Sequence, residues 1–158
     1  MKPVRIGICA AILVSVSSVL AASDVRLVPF AERARGAERV VIATVAETSA
    51  RYERNDFGDE LIVTDARLAV EEAVKGPAEP VTVTIEGGTL NGITLQVSSL
   101  PSVRRGERAV FFLTRGSNGQ FRLHLRGSGM LKLDANNQVV GSAITLDEVR
   151  QQIRSAKQ

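Results

Sequence analysis

Residues 71–88, EEAVKGPAEPVTVTIEGG, bring two adjacent carboxylates, Glu71 and Glu72, together with a lysine and a glycine pair in one short stretch. Neighbouring carboxylates can divide general-acid and general-base work when both reach one substrate. Glu71 and Glu72, however, lie in a segment patterned as a strand, where adjacent side chains point to opposite faces. Without a bulge they cannot serve one site, so they are expected to face apart. Lys75 follows the last residue of that strand and is expected to be solvated.

Nucleophilic catalysis needs a base within hydrogen-bond reach of the nucleophile. The chain has one histidine, His124, set between Leu123 and Leu125. Strand alternation puts it on an outer face with Arg122 and Arg126. Ser128 is near in sequence, but its flanking glycines do not make the G-x-S-x-G elbow. A plain surface histidine is the expectation. One histidine and Cys9 do not supply a structural zinc site. NDFGDE (residues 55–60) gathers Asn55, Asp56, Asp59 and Glu60 around a glycine, without the EF-hand spacing. It reads as a solvated loop. EGGTLNG lacks the lysine of a phosphate-binding loop and leads into a strand rather than a helix, and RGSGM has the same defect. No catalytic set, metal or cofactor is expected.

The basic residues carry a second possibility. Arg122, Arg126 and Lys132 fall on the outward faces of neighbouring segments, and Arg104, Arg105 and Arg108 cluster just before RAVFFLT. Such a face suits an acidic partner or an anionic surface. The competing reading is an ordinary charged surface.

The first residues set the setting for any partner. Lys2 and Arg5 precede an uncharged, mostly apolar run over 6–20, and small residues follow at Ala21, Ala22 and Ser23. That pattern is expected to be a signal peptide over 1–22, too short in its apolar run for a membrane anchor. The mature chain, 23–158, is then exported, spans no membrane and loses Cys9, the one cysteine. About 135 residues can fold on a core without disulfides, as one domain. The whole chain carries 20 basic and 17 acidic side chains, +3. Removing Lys2 and Arg5 leaves 18 against 17, or +1. With no basic block and few aromatics to stack on bases, nucleic acid is not an expected partner.

Period-two alternation dominates the rest. LVPFAERARG (27–36) suits a short helix, with Pro29 in its first turn and Gly36 at its stop. ERVVIATVAE reads as a strand and RYERNDFGDE as a polar loop. LIVTDARLAVEEAV is a long strand with Ile62, Thr64, Ala66, Leu68 and Val70 on one face and Asp65, Arg67 and Glu71 on the other. KGPAEP breaks it, and VTVTIE returns with Val81, Val83 and Ile85 inward. GGTLNG is a turn, with Asn91-Gly92 suited to positive φ, and GITLQV is the next strand. After the loop LPSVRRGE, RAVFFLT is a central, continuously apolar strand. FRLHLRG should place Phe121, Leu123 and Leu125 inward. MLKLD and QVVG are short strands around DANN. TLDEVRQQIRSAKQ is a helix with a Thr145–Glu148 capping box and an inward stripe of Leu146, Val149 and Ile153. The fold class is mainly β: a small antiparallel OB-like barrel or sandwich with a short N-terminal and a C-terminal helix.

Over residues 38–133 the order of segments resembles a class of uncharacterised exported bacterial proteins. The residues that carry the likeness are Thr64, Val70, Lys75 and Gly76, then Gly87, Gly88 and Gly92, then Gly106, Glu107, Val110, Phe112 and Leu113. The first half is more distantly similar to the netrin-like module of tissue inhibitors of metalloproteinases, an OB-type barrel with a long strand ending in lysine-glycine. That likeness implies the barrel. It does not imply the inhibitory mechanism, which uses an N-terminal cysteine and disulfides that this mature chain lacks.

The expectation for function is an exported, non-enzymatic binding or accessory module that contacts another exported protein, such as a secreted protease. A small-ligand or polyanion binder using the face of Arg122 and Arg126 is the alternative, and an enzyme of unknown type with an essential His124 is the third. The sequence leaves the number of copies open.

Overall fold

The computed structural model describes residues 28–55 and 57–155. The leader read over 1–22, with Cys9, lies outside the described residues, as does Asp56. In chain order the elements are α1 (Phe30–Gly36), β1 (Arg39–Arg54), β2 (Glu60–Lys75), β3 (Val81–Glu86), β4 (Gly88–Leu90), β5 (Ile93–Leu95), β6 (Arg108–Arg115), β7 (Phe121–Leu123), β8 (Met130–Lys132) and α2 (Leu146–Ser155). The protein is mainly β, with the two expected helices. No described helix is long and apolar enough to cross a membrane.

The six-stranded sheet coils on itself. β1 pairs antiparallel with β2 on one edge and with β6 on the other. β2 pairs with β3, and β6 pairs with both β7 and β8. The circuit is completed by one parallel pair, Val83 with Phe121. A single pair does not seal a ladder, so the sheet is barrel-like and not closed, in keeping with a partly open OB-type architecture.

Two apolar cores share strands β1 and β6. Val41, Ala43, Ala66, Leu68, Val83 and Phe111 fill the interior of the coiled sheet. Val40, Ile42, Val110 and Phe112 face outward, under Phe30 and Ala34 of α1 and Leu146, Val149 and Ile153 of α2. Both faces are therefore buried, which is why RAVFFLT carries no alternation. α2 starts as its sequence directs: the Thr145 hydroxyl accepts from the Glu148 N–H at 3.3 Å, and the Glu148 carboxylate accepts from the Thr145 N–H at 2.7 Å. The β4–β5 hairpin turns at Asn91 (φ 51°) and Gly92 (φ 79°), the positive-φ pair its sequence asks for.

Five expectations about the fold need correction. β1 does not end before RYER but runs to Arg54, so β1 and β2, 16 residues each, continue beyond the barrel as a two-stranded arm. RYER is half-buried to exposed, so the apolar signal that marks a strand fades there, although its cross-strand partners Ile62 and Val63 are buried. GITLQV contributes only Ile93–Leu95, in a separate two-stranded sheet with β4, and QVVG contributes only isolated bridges.

Leu125 does not point inward. β7 and β8 lie along the same edge of β6, against Leu113–Arg115 and Ala109–Phe111. They are one strand line interrupted by an excursion over residues 124–129. The excursion carries Leu125, 45% exposed, and puts Leu125 and Arg126 in the left-handed region at φ 56° and 53°. Bulky residues rarely adopt that conformation. What the excursion supplies is a seat for α1: buried Arg33 donates to the Ser128 carbonyl at 2.9 Å and to the Val28 carbonyl at 2.8 Å, with its guanidinium over the Phe30 ring.

Lys75 is not solvated. Its ammonium donates to the carbonyls of Ala34 (2.9 Å), Arg35 (3.2 Å) and Ala37. It thus answers the orphan carbonyls at the end of α1 with a charge of the favourable sign.

Candidate functional site

Glu71 and Glu72 were expected to face apart, and a bulge overturns that. In the β1–β2 ladder Ile42 pairs with Glu72 but Ala43 pairs with Val70, leaving Glu71 as the extra residue. Both carboxylates then reach the outer face. Glu71 accepts from the Thr44 hydroxyl and from Arg108, each at 2.7 Å. Glu72 accepts from Arg150 of α2 at 2.6 and 2.9 Å, with Arg154 at 3.6 Å. Burial alone would raise the Glu71 carboxyl. The hydrogen bonds from Thr44 and Arg108, and the nearby charges, outweigh it and hold Glu71 below its ordinary value. Glu71 ties the strand to β6 through Arg108, and Glu72 ties it to α2 through Arg150.

His124 is not an outer-face neighbour of Arg122 and Arg126. It opens the excursion, its N–H donating to the Phe112 carbonyl at 2.8 Å. Its ring lies so close to Gly36, at the end of α1, that a Cβ added there would strike Nε2. Burial and the Lys75 charge lower its pKa. Among the described residues no hydrogen bond joins its ring to Ser128, and no group of three or more His, Cys, Asp or Glu gathers where a metal ion could sit.

The arginines named from the sequence divide into two groups. Arg122 bonds Glu53 and lies 3.9 Å from Glu86, and Arg126 lies 3.6 Å from Glu86 and donates to the Ser99 hydroxyl at 3.0 Å. Arg108 is held by Glu71 and Asn137, and Lys132 by Glu107 at 3.0 Å. Each is matched by a carboxylate, so they form no free basic face. Arg104 and Arg105 stand exposed on the loop before β6, with no ion pair among the described residues.

The residues quoted as a fold signature form corners. Gly76 follows Lys75 at the β2–β3 turn, and Gly92 completes the β4–β5 turn. The Thr64 hydroxyl donates to the Gly87 carbonyl at 2.7 Å and closes on Gly88. Gly106 donates to the Val45 carbonyl and the Glu107 carbonyl accepts from the Val45 N–H, both at 2.8 Å.

Arg122 belongs to a wider polar layer on the outer face. Arg51 meets Asp65 at 2.7 Å and Glu53 at 2.6 Å, and the buried Thr84 hydroxyl donates to Asp65 at 2.6 Å. Burial would raise Asp65. Hydrogen bonds from Arg51 and Thr84, then the charges of Arg51 and Arg122, hold it below its ordinary value instead. A carboxyl with a depressed folded pKa contributes stability above its unfolded value, and that contribution is lost as pH falls through the folded value. Urea midpoints should therefore drop below about pH 4, and Asp65→Asn should shrink the drop, because an amide takes up no proton there. An equally steep drop in the variant would remove Asp65 from the account.

Sequence reasoning read NDFGDE as a solvated loop, which its described residues up to Asp59 are, but missed what this tip of the β1–β2 arm presents. Asn55 organises it. Its side-chain oxygen accepts from the Phe57 N–H at 3.0 Å and the Asp59 N–H at 2.8 Å, and its backbone N–H donates to the Asp59 carbonyl at 2.9 Å. Phe57 is 91% exposed, and Tyr52 lower on the arm is 43% exposed. The available signal was the phenylalanine itself, an aromatic inside an otherwise polar NDFGDE. At the arm's base lies a cavity of about 550 Å³, bounded by Thr48–Ala50 of β1, by Thr64, by Gly87–Thr89 and by residues 94–104. Compared with protein-family models and with curated proteins, the chain matches none.

Proposed function

We propose that this protein is an exported, non-enzymatic binding module that contacts another exported protein through the tip of its β1–β2 arm. The observation that carries the reading is Phe57, 91% exposed on a turn fixed by Asn55. A large apolar ring left in water gains nothing from burial within the chain itself, whereas aromatic anchors dominate the energetics of protein interfaces. A narrow arm ending in one ring fits a concave partner, and a secreted protease, the partner class the netrin-like likeness implies, is concave at its cleft.

The test is capture from periplasm or culture medium, with the protein and its Phe57→Ala variant as baits. The native chain should retain a partner, and the variant should lose affinity by about thirtyfold, the size of an interface anchor. Its stability should stay within about 0.5 kcal/mol of the native chain, because the ring is exposed. Equal capture by both would remove Phe57, and capture by neither at any salt concentration would remove the reading.

A further inference from the structure

The N-terminal half of β1 is hydrogen-bonded on both edges: to β2, and to β6 through Arg39–Thr44. Val45 is taken by Gly106 and Glu107. From Glu47 to Arg54 the partner among the described residues is β2 alone, so the opposite edge carries unpaired N–H and C=O groups. A free edge of this length is a template for another strand.

We infer that this edge takes an extended segment of a partner chain, which adds as a strand and drops alternate side chains into the adjoining cavity. This rests on the binding-module reading and specifies how the partner is held. Thr48 and Ala50 share a face with their cross-strand partners Ala66 and Thr64, and Thr48–Ala50 bound the cavity. An added strand alternates in the same way, so every second side chain enters between Leu95, Val97, Leu100 and Val103. Main-chain hydrogen bonds would supply affinity and the cavity would supply selectivity, as in other strand-addition complexes. Arg104 at the rim stands exposed, and it favours a carboxylate on the incoming segment.

The occupant is another chain rather than a second copy. Two copies paired antiparallel about a two-fold axis set residues of the same face opposite one another. On the face that adjoins the cavity, a second copy would bring only its own Thr48 and Ala50. Those side chains are too small to fill a space of about 550 Å³, which suits larger apolar side chains of another chain.

The test uses end-capped heptapeptides in which Val, Leu or Phe alternates with Ser, Thr or Glu, added to the isotopically labelled protein. Peptides that bind should slow amide exchange within residues 47–54 and nowhere else on the arm. Arg104→Glu should weaken a Glu-bearing peptide by about fivefold, the scale of an exposed ion pair, and leave its Gln counterpart unchanged. N-methylation of the peptide on alternate residues of one edge should abolish binding. Three results would overturn the inference: no peptide slowing those amides, N-methylated peptides binding as well as their parents, or protection that rises with protein concentration alone. Capture of a partner that leaves 47–54 unprotected would overturn this inference while sparing the role of Phe57.

Discussion

Phe111→Ala is expected to destabilise the protein by about 3–5 kcal/mol, the cost of emptying a fully buried aromatic site. Phe111 is wholly inaccessible and packs in the interior of the coiled sheet, on the strand that pairs with β1, β7 and β8. Few side chains around it can collapse inward, since the neighbours belong to strands fixed by their ladders. Urea unfolding should show a lower midpoint with an unchanged slope. Phe112→Ala should cost a similar amount but fail differently. That ring lies outside the sheet, beneath the two helices. Trypsin should then cut sooner at Arg150 and Arg154 in α2, while Phe111→Ala should unfold as one unit. A loss below about 1 kcal/mol for Phe111→Ala would mean the interior has slack that a close-packed core lacks.

Gly129→Ala is expected to cost about 3 kcal/mol, at the upper end of overpacking penalties. The excursion over residues 124–129 folds back on itself. A methyl group on Gly129 would strike the His124 carbonyl oxygen and lie 2.9 Å from the His124 nitrogen. Neither atom can retreat freely, because the His124 N–H is bonded to the Phe112 carbonyl at 2.8 Å. The strain falls on the turn that seats Arg33, so α1 should loosen with it. Amide exchange in Phe30–Gly36 would report this. A variant as stable as the native chain, with α1 equally protected, would show that the excursion is pliable.

The barrel was legible wherever burial writes a period. VTVTIE alternates because one of its faces is interior, and RAVFFLT does not alternate because both are. The capping box at Thr145 and the positive φ at Asn91-Gly92 were legible because each is local chemistry. What escaped depends on partners far along the chain. FRLHL alternates through Leu125, but β8 claims the next stretch of β6 and forces the chain out of line. Glu71 and Glu72 stand in unbroken alternation, and no residue type marks the bulge. The arm was invisible as strand because RYER is half-buried to exposed, and the role of Lys75 depends on carbonyls 38–41 residues earlier. Of the candidate site, the arginines were found by type. Their neutralisation by Glu53, Glu71 and Glu86 could not be, since ion pairs across strands leave no trace in spacing.

The Lys75 ammonium also sets an order of assembly. α1 has seven residues, far fewer than an isolated helix needs to persist in water. Its end is held by Lys75 and its middle by Ser128, through Arg33. Although α1 precedes every strand among the described residues, it is therefore among the last elements to settle: it waits for the far end of β2 and for the turn before β8. Until then residues 30–36 remain unfolded chain, and the sheet closes without them.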